Sequence, residues 1–206
     1  MAYALEREKL ARAARALNAG SGRPNLPALI LMTDQARLPD PVPAARSLPR
    51  GSAVILRHTN SEPRAALAHS LSDIARDRGL LLIVAGDARL AADIGAHGLH
   101  LPEARAREAA HWRALRPSWI ITAAAHSARA LAVARRAGAD AALLAPVFAT
   151  PSHPGREPLG ALQVRLLAAR AGLPVYALGG VNASTIARLR GAILAGIAAI
   201  EGLLVS

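Results

Sequence analysis

Eight short apolar runs punctuate the chain, and stretches of mixed, helix-like pattern separate them. The runs cover 28–34, 51–58, 80–87, 97–101, 118–126, 141–148, 174–181 and 196–203. Most are continuous rather than alternating, as parallel strands covered on both faces should be. Helices are expected between them at 62–78, 89–94, 103–115, 128–137, 161–171 and 182–190. The proline-rich stretch 37–50 leaves room for a short helix at most. Local signals agree with this division. Gly79, Gly95, Gly138, Gly172 and Gly191 follow helical stretches, Pro63 suits a helix start, and Ser127 and Asn182 stand where N-caps would fall.

Strand–helix alternation predicts an α/β fold with a parallel sheet, either doubly wound or closed. Eight repeats favour closure into a single (β/α)8 TIM-barrel domain over 1–206, with the barrel itself in 28–203. The first strand is not followed by GxGxxG, which lowers the dinucleotide-binding alternative. Residues 1–20 read as an extra amphipathic helix, with Tyr3, Leu10, Ala14 and Leu17 roughly on one side. The eighth run has no helix after it, so this N-terminal helix is expected to cover the last strand.

Composition narrows the classes. Of the 206 residues 52% are hydrophobic and only 2% aromatic, so the core must be built from Ala, Leu, Ile and Val. The net charge of +11 comes almost wholly from arginines spread along the helical stretches, with Lys9 the only lysine. A nucleic-acid surface would cluster such charges and interleave aromatics, so none is expected. With no cysteine, disulfides and thiolate metal sites are excluded. The first residues lack a signal-peptide apolar core, and no run approaches a membrane span, so a cytoplasmic location is expected.

Barrel chemistry sits at the C-terminal ends of the strands. The polar residues there are Asp34, Arg57 with His58, Asp87, His100 with Glu103, His126, Thr150 with His153, and Glu201. So many charged strand ends point to one shared cavity. In 177–184, two glycines after an apolar strand expose backbone N–H groups just before an expected helix. That arrangement suits a phosphate, held by Gly179, Gly180 and Val181. The same two glycines would equally make a tight turn. Glu201, at the end of the eighth strand, either points away from that phosphate or weakens its binding by repulsion. His126 is a candidate proton shuttle. Asp87 and Glu103 are too few for a well-formed magnesium site, and the near absence of lysine disfavours Schiff-base chemistry.

Taken in order, these residues resemble the thiamine phosphate synthase / thiazole tautomerase (TenI-type) family. The resemblance rests on 29–34, 54–58, 85–103, 123–127, 145–160 and 177–181, with 146–160 the most specific stretch. It implies one of two activities. A synthase joins a pyrimidine pyrophosphate to a thiazole phosphate with magnesium; a tautomerase aromatises a thiazole carboxylate phosphate by proton transfer, without metal. The synthase pattern is damaged here. Of its strand-two Gln-Leu-Arg-x-Lys motif, Arg57 remains as the charged contact. Its Asn-Asp pair reads Gly86-Asp87, its second metal aspartate falls on Arg105, and the serine before the strand-five histidine falls at about Ala124. Its pyrophosphate lysine reads His153, and its phosphate-site serine reads Glu201.

The tautomerase pattern asks for less. It implies His126 as general acid/base, Arg57 on the ligand's carboxylate, and Gly179, Gly180 and Val181 on its phosphate. Asp87, Thr150, His153 and Glu201 complete the expected substrate contacts. No cofactor is expected, with Mg2+ only if synthase activity is kept. The small-molecule partner is a thiazole phosphate, and a homodimer stays open. The competing readings are a synthase with an altered site and a barrel that binds ligand without catalysis.

Overall fold

The computed structural model describes residues 2–22, 25–59, 61–150, 155 and 157–203. Eight parallel strands close into a barrel in sequence order. They are β1 (Leu29–Met32), β2 (Ala53–Leu56), β3 (Leu81–Ala85), β4 (Gly98–Leu101), β5 (Ile120–Ala125), β6 (Ala141–Leu144), β7 (Val175–Leu178) and β8 (Gly196–Ala199). Closure is made by β1 against β8, with Leu29 opposite Ile197 and Leu31 opposite Ala199. The expected α/β barrel is therefore present. Each ladder is shorter than its apolar run, and the polar residues that end the runs lie just past the last paired position.

Helices α1 (Ala2–Gly20), α2 (Val42–Arg46), α3 (Ser61–Arg78), α4 (Ala88–Asp93), α5 (Ala109–Leu115), α6 (Ala128–Arg136) and α7 (Gly160–Arg170) surround the strands. The short helix allowed in 37–50 is α2, entered through Pro43. Ser127 caps α6 as expected, its hydroxyl accepting from the N–H of Ala130 at 3.1 Å. Helix α1 packs on β8, as foreseen. It buries Leu10, Ala14 and Leu17, and Asn18 donates to the carbonyl of Ala195 at 2.6 Å. The side chain of Tyr3 lies outside the described residues.

Two helix expectations need correction. The stretch 103–115 begins as a 3-10 turn over Glu103–Glu108 before α5. The stretch 182–190 is no α-helix; only Ile186–Leu189 coil, again as a 3-10 turn. Asn182 caps no helix. Its side-chain oxygen instead accepts from the N–H groups of Ser184 at 2.9 Å and Thr185 at 3.1 Å. Local side-chain-to-backbone bonds of this kind compete with helix formation and win here.

With few aromatics, the core is Leu, Ile, Val and many alanines. Tyr176 is the large exception. It is fully buried, and its hydroxyl donates to the carbonyl of Pro27 at 2.8 Å, which satisfies the polar tip. Among the described residues no helix is long and apolar enough to cross a membrane.

Candidate active site

The C-terminal mouth of the barrel holds two adjoining cavities that share Met32, Arg57, Ala145 and Leu178. The first, about 310 Å³, lies over the β7 and β8 ends. Gly179, Gly180, Val181, Thr150, Arg37, Arg188 and Glu201 are among its lining residues. The second, about 480 Å³, lies over β2 to β5 and is lined by Arg57, Arg64, His100 and His126, among others.

The first cavity is built on backbone. Gly179 and Gly180 take φ of +92° and +65°, and a Cβ on Gly180 would stand 2.5 Å from the carbonyl oxygen of Ala149. The pair therefore does make the tight turn that needs glycine. It also leaves backbone donors on residues that line the cavity. No acceptor among the described residues takes the N–H of Gly180, Val181 or Gly202. Consecutive backbone N–H groups in a turn are able to bind an anion without any helix. The Arg188 guanidinium lies over the Phe148 ring, 4.5 Å from its centre, and brings a cation to the same wall. Glu201 opens a 3-10 turn (Glu201–Leu203) directly after the β8 end and is exposed among the residues lining this cavity.

The second cavity is built on side chains. His126 follows β5, and Glu103 follows β4. One carboxylate oxygen of Glu103, Oε2, accepts from the backbone N–H of His126 at 2.8 Å and lies 2.6 Å from its Nδ1. An ionised carboxylate can only accept, so Nδ1 carries the proton and Nε2 is the basic nitrogen of the ring. Arg57 pairs with Asp34, which also holds Arg37 at 2.9 Å. Burial opposes the charge on Asp34, yet the hydrogen bonds and charge of Arg37, with the charge of Arg57, hold its carboxyl well below the usual range. His100 is buried with Nδ1 2.9 Å from the hydroxyl of Thr122. Burial, helped by the charge of Arg57, pulls it down to about 4, so it lines the cavity as a neutral ring. His58 is likewise buried, against Thr33 at 2.9 Å.

The mouth brings together Arg57, His126, Thr150, Gly179, Gly180, Val181 and Glu201. It does not bring in Asp87, which lines neither cavity. The Asp87 carboxylate caps α4, accepting from the N–H of Leu90 at 2.9 Å, and faces Arg64 at 3.4 Å. His153 lies outside the described residues. Sequence reasoning missed Arg64 and Arg188, both on helical turns where an arginine looks like a solvated face. It named Glu103 without its partner. The spacing of 23 residues between Glu103 and His126 gave no signal, because their meeting depends on β4 and β5 being neighbours.

These features define a (β/α)8 barrel whose mouth joins a glycine-shaped concavity to a histidine–carboxylate pair. The chain belongs to the thiamine monophosphate synthase family (TMP-TENI), which it matches over residues 32–203. A thiamine-phosphate synthase from Chlorobium luteolum is 34% identical over 183 residues, covering 86% of this chain and 85% of that protein. The thiamine biosynthesis bifunctional protein ThiM/ThiE of Symbiobacterium thermophilum is 37% identical over 138 residues, 66% of this chain. The chain spans only 29% of that longer protein. Among solved structures, thiamine phosphate pyrophosphorylase from Pyrococcus furiosus superposes with a TM-score of 0.70 at 22% identity, covering 89% and 88% of the two chains. That likeness is one of fold.

Proposed function

We propose that this chain is an isomerase of thiamine biosynthesis that aromatises a thiazole carboxylate phosphate by moving a proton. The carrying observation is the Glu103–His126 pair at the rim of the cationic cavity. Nε2 of His126 takes a proton from one carbon of the substrate and returns it at another. One C–H bond breaks, one forms, and the composition is unchanged. Glu103 fixes the tautomer and steadies the imidazolium formed in between. Arg57, held by Asp34, pairs with the substrate carboxylate, and the Gly179–Val181 concavity takes the phosphate.

His126→Asn is expected to lower turnover by about 10³-fold, within the usual range for a general acid–base group, while ligand affinity holds within about threefold. Glu103→Gln keeps a hydrogen-bonding amide but forfeits the charge, and should cost about 10²-fold with an altered pH–rate profile. Unchanged rates in His126→Asn defeat this assignment. The names of the relatives favour a second reading, thiamine phosphate synthase. Magnesium-dependent formation of thiamine phosphate by the purified protein would establish it instead.

A further inference from the structure

The family resemblance points to a divalent cation at the end of β3, with Asp87 as one ligand. The oxygens there are already committed. Arg64 donates through Nη2 to the carbonyl of Ala85 at 2.6 Å, and its Nη1 stands 3.4 Å from Oδ2 of Asp87. The other Asp87 oxygen caps Leu90. Arg105 donates to the carbonyl of Gly86 at 2.9 Å, with the rest of its guanidinium held by Glu108 at 2.7 Å. Among the described residues no three His, Asp or Glu side chains gather to hold a metal. A hard cation needs several free oxygens, and two fixed positive charges beside it add repulsion. This donor set does not fit a divalent cation.

We propose that Arg64 is the resident cation of the larger cavity, holding an oxyanion of the substrate, carboxylate or phosphate, without a divalent metal. The inference rests on the proposed function only in placing a small anionic substrate at this mouth. Arg64 stands in the first turn of α3, with its side chain 14% exposed and lining the cavity beside Arg57. Its bond to Ala85 fixes the guanidinium, while Asp87 is a distant partner and Nε has no acceptor among the described residues. A guanidinium so placed is always charged and presents a rigid fork matched to carboxylate and phosphate. Among the described residues no Asp or Glu lines this cavity, and Arg57, paired with Asp34, and Arg64 are its cations.

The test is calorimetric titration of inorganic pyrophosphate into the intact protein, first with EDTA and then with excess magnesium. We expect binding in EDTA that magnesium changes by less than about threefold. Arg64→Gln should weaken it by about tenfold or more. Asp87→Asn keeps a side-chain cap for α4 but removes the charge opposing Arg64, and should preserve or strengthen binding. Absence of binding, a requirement for magnesium, loss in Asp87→Asn, or indifference to Arg64→Gln overturns the proposal. Should Arg64→Gln fail to fold by circular dichroism, the magnesium comparison and Asp87→Asn still decide. Metal-free pyrophosphate binding with no isomerase turnover would sink the proposed function and leave this inference standing.

Discussion

The two cavities at the barrel mouth meet at Arg57 yet are made of different materials. The one over β7 and β8 presents peptide N–H groups at Gly180, Val181 and Gly202, so its chemistry depends on chain path. The one over β2 to β5 presents guanidinium and imidazole groups on strand ends and helix turns. The difference decides how each can change. A backbone concavity tolerates exchange of most residues around it but not of the glycines that shape it. A side-chain cavity keeps its shape under substitution and loses or exchanges chemistry one residue at a time. Asp87 and Arg64 show this division of roles, the carboxylate capping α4 while the arginine holds the strand end.

The largest effect that would break this contrast is on stability. Gly180→Ala must place a Cβ 2.5 Å from the Ala149 oxygen and 2.8 Å from the Phe148 Cβ, at φ +65°. Left-handed strain and overpacking together should cost about 3 kcal/mol or more. For a chain of this size that is a fall of roughly 6–12 °C in Tm, read by thermal unfolding. Phosphate binding should fall with it, while the His126 region keeps its geometry. A variant as stable as the parent would mean that the concavity is not set by its glycines.

The same contrast explains what could be read in advance. The eight strands were legible because buried parallel strands leave continuous apolar runs, as in 80–87 and 141–148. The N-terminal helix was legible from Leu10, Ala14 and Leu17, all buried against the barrel. Of the site, the glycines at 179 and 180 showed in the sequence because backbone geometry selects their residue type. The loop beyond them misled. Asn182 looks like an N-cap, and only the structure shows its oxygen serving an isolated turn. Arg64 and Arg188 were hidden by composition: where nearly every cation is arginine, one facing inward looks like its neighbours. Asp87 was ambiguous for the converse reason, since a carboxylate at a strand end serves equally well as a helix cap, as it does here.

A smaller effect concerns the neutral ring in the side-chain cavity. His100 titrates at about 4 in the folded protein, because burial and then the Arg57 charge disfavour its cation. The unfolded chain takes up that proton near the ordinary value of 6.5. Below that pH the unfolded state binds the extra proton, so this contribution to stability is complete above about 6.5 and is lost as pH falls toward about 4. The slope approaches 1.4 kcal/mol per pH unit within the window, roughly. His58, also lowered by burial, adds in the same direction. Urea unfolding at pH 7, 6 and 5 should show the decline, and His100→Asn should flatten it. An equal slope in that variant would mean that the ring is already charged in the folded state, and that the larger cavity is more cationic than its two arginines make it.

The smallest effect falls on the acidic side chain that lines the cavity built on backbone. Glu201 is exposed on the wall that carries Gly180 and Val181, and no described residue bonds or pairs with it. A carboxylate there repels a bound phosphate, though solvent screens the repulsion. Arg188, held over Phe148, offsets part of it from the same cavity. Glu201→Ser should therefore tighten orthophosphate binding by about fivefold at low salt, with the gain shrinking as salt is added. Arg188→Gln should move affinity the opposite way by a similar factor. If Glu201→Ser leaves phosphate affinity unmoved at every salt concentration, the ligand's anionic group lies beyond the reach of this carboxylate. The comparison would then reverse, with the side-chain cavity of Arg57 and Arg64 holding the anion and the concavity left as a turn.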